Sequence, residues 1–272
     1  MTTRKGMMNP QSQNNQQISP STLPTVRKMR AADIYASLKA GIEDFRTAPL
    51  FGLTVGALVS GIGLAIFLGL TVLDLPWMAY PFAIGFPLVG PFAAVGLYAV
   101  SRDLEAGAAP TWKKVLATVW AQRRRELSFM AFVMLFVFWV WMYQIRLLIA
   151  LCLGLVSFAS FDEFLTVIFT TTNGWVFLGV GHIVGAALAL ILFSITVVSM
   201  PLLLERDIDI VTAMITSVKV VFESPFVMLG WGAIVTLAVL MASLPFFAGL
   251  LVVLPILGHA TWHIYRKAVP TP

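Results

Sequence analysis

Two histidines, His259 and His263, stand four residues apart near the end of an apolar run, a spacing that puts both imidazoles on one helical face. Such a pair is half of a haem or metal site. A third histidine, His182, lies in another apolar run, and three histidines are too few for the catalytic subunit of a haem–copper oxidase. No Asp, Glu or Cys completes a ligand set near His259 and His263. Their neighbours Trp262, Tyr265, Arg266 and Lys267 are residues that gather at a membrane interface. The single cysteine, Cys152, offers neither an intramolecular disulfide nor a thiolate cluster. No metal and no cofactor is expected.

Polar groups inside apolar runs are functional candidates by default, because lipid charges heavily for them. Arg146 follows Trp139, Trp141, Met142, Tyr143 and Gln144. It has two readings. Its guanidinium snorkels to lipid phosphate at the outer end of a span, beside an aromatic belt. Alternatively, the helix runs on through 147–158 and Arg146 faces a polar cavity. The other candidates are prolines. Pro76, Pro81, Pro87 and Pro91, with Gly85 and Gly90 between them, crowd one apolar run. A helix so interrupted frees carbonyls that need partners, and broken helices line substrate sites in transporters. Walker A, nucleophile-elbow, zincin and dinucleotide fingerprints are all missing from the chain, so it is not expected to be an enzyme.

The elements that would position these residues are membrane spans. The chain is 59% hydrophobic and 11% charged, with a mean hydropathy of +0.89. An ordinary soluble domain is about 25% charged. A spanning helix needs about 20 mostly apolar residues, and six runs qualify: 50–73, 76–100, 127–147, 175–203, 226–244 and 246–265. Lys and Arg fall on alternate connections: Arg27, Lys28 and Arg30 before the first run, Lys113, Lys114 and Arg123 to Arg125 after the second, Arg206 and Lys219 after the fourth, and Arg266 and Lys267 at the end. The other connections carry none. The positive-inside rule then sets both termini in the cytoplasm of a bacterial inner membrane. The basic balance reads as topology and not as a nucleic-acid surface. Residues 1–30 read as a disordered cytoplasmic tail, with no apolar signal-peptide core near Met1. Residues 31–268 read as one membrane domain.

An internal repeat runs through that domain. Asp33 aligned on Asp209 brings Ile34 onto Ile210, Pro49 onto Pro225, Leu53 onto Leu229, and Gly56 with Ala57 onto Gly232 with Ala233. Each copy opens with an amphipathic helix and breaks at a proline before entering the membrane. The apolar stripes are Ile34, Leu38, Ile42 and Phe45, and Val211, Met214, Ile215, Val218 and Phe222. A weaker third copy begins at Pro110 and Thr111, with the stripe Trp112, Val115, Leu116, Val119 and Trp120. The expected fold is an all-α polytopic membrane bundle of six transmembrane helices. It comprises three hairpin repeats (31–100, 108–203 and 207–267) with cytoplasmic amphipathic helices. Those helices lie in the headgroup layer or pack on the inner ends of the spans. Gly52 with Gly56, and Gly181 with Gly185, form small-xxx-small faces for close helix contact.

Several short runs resemble an uncharacterised bacterial multi-pass membrane family, domain of unknown function 2189. They are Asp33-Ile34-Tyr35 through Phe45-Arg46-Thr47-Ala48-Pro49, Pro87-Leu88-Val89-Gly90-Pro91-Phe92, Gly96-Leu97-Tyr98 with Ser101-Arg102-Asp103-Leu104-Glu105-Ala106-Gly107, and Met200-Pro201-Leu202-Leu203. The resemblance spans about 30–268 and implies no activity for any residue. The function expected is non-enzymatic: a structural, accessory or lipid-interacting membrane protein. Membrane lipids are its partners, and a membrane-protein partner or a second copy is compatible with it. The alternatives are a small-solute transporter or channel built on the broken second run, and an accessory subunit of a respiratory complex. A reporter fused after Lys267 is expected to be active only in the cytoplasm, and one inserted near Asp162 only outside. A C-terminus found outside would refute the six-span topology.

Overall fold

Apolar runs have no water to receive their backbone groups in lipid, so they close into helices. The computed structural model describes residues 23–72, 93–122, 126–154 and 161–270, which are helical with no strand among them. In chain order these are α1 (Ala31–Thr47), α2 (Pro49–Thr71), α3 (93–105), α4 (Trp112–Gln122), α5 (Glu126–Leu148), α6 (Phe161–Thr170), α7 (Thr172–Thr196), α8 (Ser199–Glu205), α9 (Ile210–Glu223), α10 (Pro225–Ser243) and α11 (Leu250–Ala268).

Among the described residues, four stretches are long and apolar enough to cross a membrane: Pro49–Gly69, Glu126–Leu153, Thr172–Glu205 and Pro225–Ser243. They correspond to the first, third, fourth and fifth expected spans. The second falls mostly on 73–92, outside the described residues, and Pro76, Pro81, Pro87 and Pro91 lie there with it. The sixth is α11, a single helix of 19 residues. It is not among the four, because His259, Thr261, His263, Arg266 and Lys267 fill its last turns.

Both proline breaks have the same geometry. Ala48 before Pro49 has φ −131° and ψ 57°, and Ser224 before Pro225 has φ −142° and ψ 57°. Proline excludes the α conformation from the residue before it and is at home in a helix's first turn, so one residue both ends the amphipathic helix and starts the span. The two amphipathic helices start differently. Asp209 caps α9, its carboxylate accepting from the Thr212 N–H at 2.8 Å. Asp33 sits three residues into α1 and accepts from the Arg30 N–H at 2.9 Å.

Residues 23–30, read from composition as part of the tail, have fixed partners. They run along the end of α11: the Arg27 N–H donates to the Ala268 carbonyl at 2.8 Å, and the Met29 N–H to the buried Ser224 hydroxyl at 2.7 Å. Met29 is buried, an anchor that a composition argument does not see.

The third span also runs past its expected end. α5 continues into one π turn, Ile149–Leu153, closed by Gly154 at φ +85°. At the far end of the last hairpin, Phe246 and Phe247 turn the chain with φ +49° and +64°. Side chains other than glycine rarely adopt that region. Here the Phe246 ring packs edge-on to Phe67 of α2, and the Phe247 ring covers Gly63.

Small residues set the helix spacing. A Cβ on Gly41 of α1 would meet the Ala260 nitrogen of α11 at 2.6 Å and the Ile256 oxygen at 2.8 Å; one on Gly56 of α2 would meet the Leu251 oxygen at 2.5 Å. These are backbone-to-backbone approaches, the kind by which helices associate without a hydrophobic driving force. Gly185 of α7 receives the Trp141 ring of α5 in the same way. Gly41→Ala forces α1 off α11 and is expected to cost about 1–3 kcal/mol, the usual price of overpacking. Gly61, with nothing within 4 Å of its Cβ position, is the control. Gly61→Ala should unfold no earlier than the parent protein in a detergent melt, and equal midpoints for the two variants would refute the close approach.

Candidate functional site at the helix ends

α11 carries a polar side chain on nearly every turn of its second half, and those described below reach α1, α3 and α8. The His259 Nδ1 lies 2.7 Å from the Ser101 hydroxyl of α3. One turn on, the His263 Nε2 lies 2.8 Å from the Asp44 carboxylate of α1. The Trp262 indole donates to Glu105 at 3.0 Å, at the end of α3. Arg266 donates through Nε to Glu105 at 3.0 Å and through Nη1 to Glu205 of α8 at 2.7 Å. The Tyr265 hydroxyl also donates to Glu205.

The surrounding polar groups brace the same end. Arg206 donates to the Pro270 carbonyl at 2.9 Å, and Arg27 to the Lys267 carbonyl at 3.0 Å. Lys114 of α4 pairs with the buried Asp103 at 2.8 Å. Glu126, opening α5, accepts from the Ile210 N–H at 3.1 Å. Burial alone would push the Asp33 carboxyl up, but the Arg30 N–H and the Arg27 guanidinium hold it below its ordinary range. The Thr212 hydroxyl and N–H do the same for Asp209.

This geometry joins helices. Ser101 and His259 are a hydroxyl and an imidazole in hydrogen-bond contact, the first requirement of an activated nucleophile. Both are fully buried, so no substrate reaches them. His259 Nε2 is buried with no hydrogen-bond partner among the described residues. Among the same residues, no three His, Cys, Asp or Glu side chains are placed to hold a metal ion.

His182 stands apart on α7. Its side chain is exposed, with Nδ1 2.7 Å from the Leu178 carbonyl, beside an open groove of about 490 Å³ between α5 and α7. Trp141, Ile145, Leu148 and Phe177 make that groove apolar. Arg146 is exposed in the last turn of α5. Pro87 and Pro91 lie outside the described residues. The four described candidates, Arg146, His182, His259 and His263, do not share one partner. The sequence argument missed Ser101, Asp44, Glu105 and Glu205, the partners that give His259, His263 and Arg266 their roles. A usable signal existed for one of them: Glu205 ends an apolar run just before Arg206.

The four span-length helices and the uncovered apolar surface between them fit a protein embedded in lipid. Residues 79–205 match the model of the DUF2189 family, described as predicted integral membrane protein. It is the family whose motifs the sequence resembles. The matched stretch holds the runs at 87–92, 96–107 and 200–203, while the run from Asp33 to Pro49 precedes it. No curated protein and no solved structure matches the chain. The protein is an integral membrane protein with several apolar helices.

Arg266 is the test of the brace. Arg266→Ala leaves Glu105 and Glu205 facing each other without a cation. Hydrogen bonds to charged groups are worth about 1.5–3 kcal/mol, and the 38% exposure of Glu105 discounts its share. The expected loss is about 2 kcal/mol in a detergent melt. Arg266→Lys should recover only part of it, because an ammonium lacks the planar fork that serves two carboxylates. A melting temperature unchanged in Arg266→Ala would show that the network contributes nothing.

Proposed function

We propose that this protein is a non-catalytic membrane scaffold of six spans arranged as three hairpins, with both termini in the cytoplasm of a bacterial inner membrane. The observation that carries the reading is a cyclic packing order. Each amphipathic helix rests on the closing helix of the hairpin before it. α4 meets α3, where Val115 and Val119 lie 3.8 Å from the Cβ position of Gly96. α9 packs on α7 and α8. α1 packs on α11, the closing helix of the last hairpin. The three closing helices then meet at one end, through Glu105 of α3, Glu205 of α8 and Arg266 of α11.

The common dihedral angles at Ala48 and Ser224 support the repeat. The non-catalytic part is supported by the commitment of the candidate side chains. His259, His263 and Arg266 each hold a partner on another helix, which leaves none of them presented to a substrate. A scaffold of this kind acts through what its surface holds: lipid, a membrane-protein partner or a second copy.

Purified protein reconstituted into vesicles loaded with a self-quenching dye, or with potassium under an imposed gradient, is expected to leak no faster than empty vesicles. Flux above that baseline that disappears in the heat-unfolded protein would overturn the scaffold in favour of a channel.

A further inference from the structure

Two amphipathic helices, α4 and α9, are turned the opposite way from those of a soluble protein. α9 buries its small and hydroxylated side: Thr212, Ala213, Thr216, Ser217 and Val220. The Val198 N–H at the head of α8 donates to the Ser217 hydroxyl at 3.1 Å. One row of large apolar side chains points away from the protein, with Val211 54%, Ile215 47% and Phe222 77% exposed, while Met214, Val220 and Val221 pack inward. α1 does not share the pattern: Ile34 is buried beside Ser37 and Gly41, Leu38 packs on the core, and Tyr35 alone among its large side chains is exposed. In α4, Val115 is buried, while Leu116 is 60% exposed and Trp112 and Trp120 flank it outside. Small residues inward let backbones approach closely. The uncovered apolar stripes need a cover other than this chain.

Two observations say what covers them. The stripes run without a break into membrane-facing surface. The Trp112 ring lies 4.2 Å from Phe51, in the first turn of a span-length helix. Phe222 at the end of α9 is followed one turn later by Phe226, exposed at the start of α10. The charge beside the stripes is basic where the helix is least ambiguous. α4 contains Lys113 and Lys114 and no acid; Lys114 pairs with Asp103, and Lys113 is exposed. On α9 the exposed Lys219 is accompanied by the exposed Glu223, so α4 carries the basic argument. An apolar face in the acyl boundary with lysine beside it is the signature of a helix lying in the interface.

We infer that α4 and α9 form a collar in the headgroup layer of one leaflet, and that α4 recruits anionic phospholipid through Lys113. The collar goes beyond the scaffold reading and requires only that the chain is embedded in a bilayer. It names the surface that a scaffold would offer to lipid.

The test uses the full chain in a Cys152→Ser background, with Leu116→Cys and Phe222→Cys made separately and each labelled with an environment-sensitive dye. The proteins are reconstituted in phosphatidylcholine vesicles with or without phosphatidylglycerol. Both labels should be quenched by lipids carrying a nitroxide near the headgroup and be shielded from aqueous iodide. At position 116, nitroxide-labelled phosphatidylglycerol should out-quench the phosphatidylcholine probe about fivefold, the factor one lysine near an anionic surface supplies. Lys113→Gln should abolish that preference and leave the shallow-lipid quenching in place.

Labels open to iodide would overturn the collar. Labels shielded from both quenchers would overturn it in favour of a protein cover, and equal quenching by the two lipids would overturn the anionic preference. Two label sites on different helices guard against one variant failing to fold. A solute flux through the same vesicles would sink the scaffold and leave this result standing.

Discussion

The close approach of α1 and α2 to α11 is the constraint on which the rest depends. Gly41 and Gly56 bring two helix backbones against a third with no side chain between them. In lipid, where apolar side chains gain little by leaving one apolar surface for another, such contact is the main source of helix association. It places the second half of α11 at the centre of the helix ends, with Trp262, Ile264 and Tyr265 fully buried. Every polar residue in that half is then surrounded by other helices. Most find a partner on one of them, and Thr261 turns back to the Leu257 carbonyl of α11, because an unmatched polar group in a low-dielectric setting is costly.

The brace follows from that necessity. His259, His263 and Arg266 do not share one ligand. They diverge around the helix and meet Ser101, Asp44, Glu105 and Glu205. Two carboxylates on one guanidinium suit arginine in particular, whose donors are fixed in a plane and can serve both. A set of ion pairs near a membrane edge adds little energy pair by pair. Its larger effect is on register: Arg266 reaches Glu105 and Glu205 together only when α3, α8 and α11 end at the same depth.

Sequence alone located the parts of this fold that depend on composition. Four of the six expected spans appear within a few residues of their bounds, because length and hydropathy are summed over about 20 residues and tolerate local error. The breaks at Pro49 and Pro225 were legible for the opposite reason: one residue type dictates them. Partnerships were not legible. His259 and His263 stood out by spacing, yet their roles come from Ser101 and Asp44, 158 and 219 positions away in the chain. No periodicity encodes such a pairing. The anchor of Met29 was illegible on the same ground, since its partner Ser224 comes from the far half of the molecule.

The amphipathic helices show where pattern reading needs a second piece of physics. A stripe of Val211, Ile215 and Phe222 identifies a face that avoids water, and in a soluble protein that face packs on the core. Here the core takes Thr212, Ala213, Thr216 and Ser217 instead. Periodicity finds the apolar face and is silent on whether protein or lipid covers it. Residue size decides. Where two helices must approach closely, the small face wins the protein side, and Ser and Thr can turn their hydroxyls onto their own helix, as Thr216 does to the Thr212 carbonyl at 2.7 Å. The large side chains are left for the solvent that accepts bulk without demanding fit. The same division holds along α2, where Gly52 and Gly56 face α11 and Leu53, Leu58 and Leu64 face outward. A helix that keeps one rule from the collar into the span has the same medium outside it along its whole length.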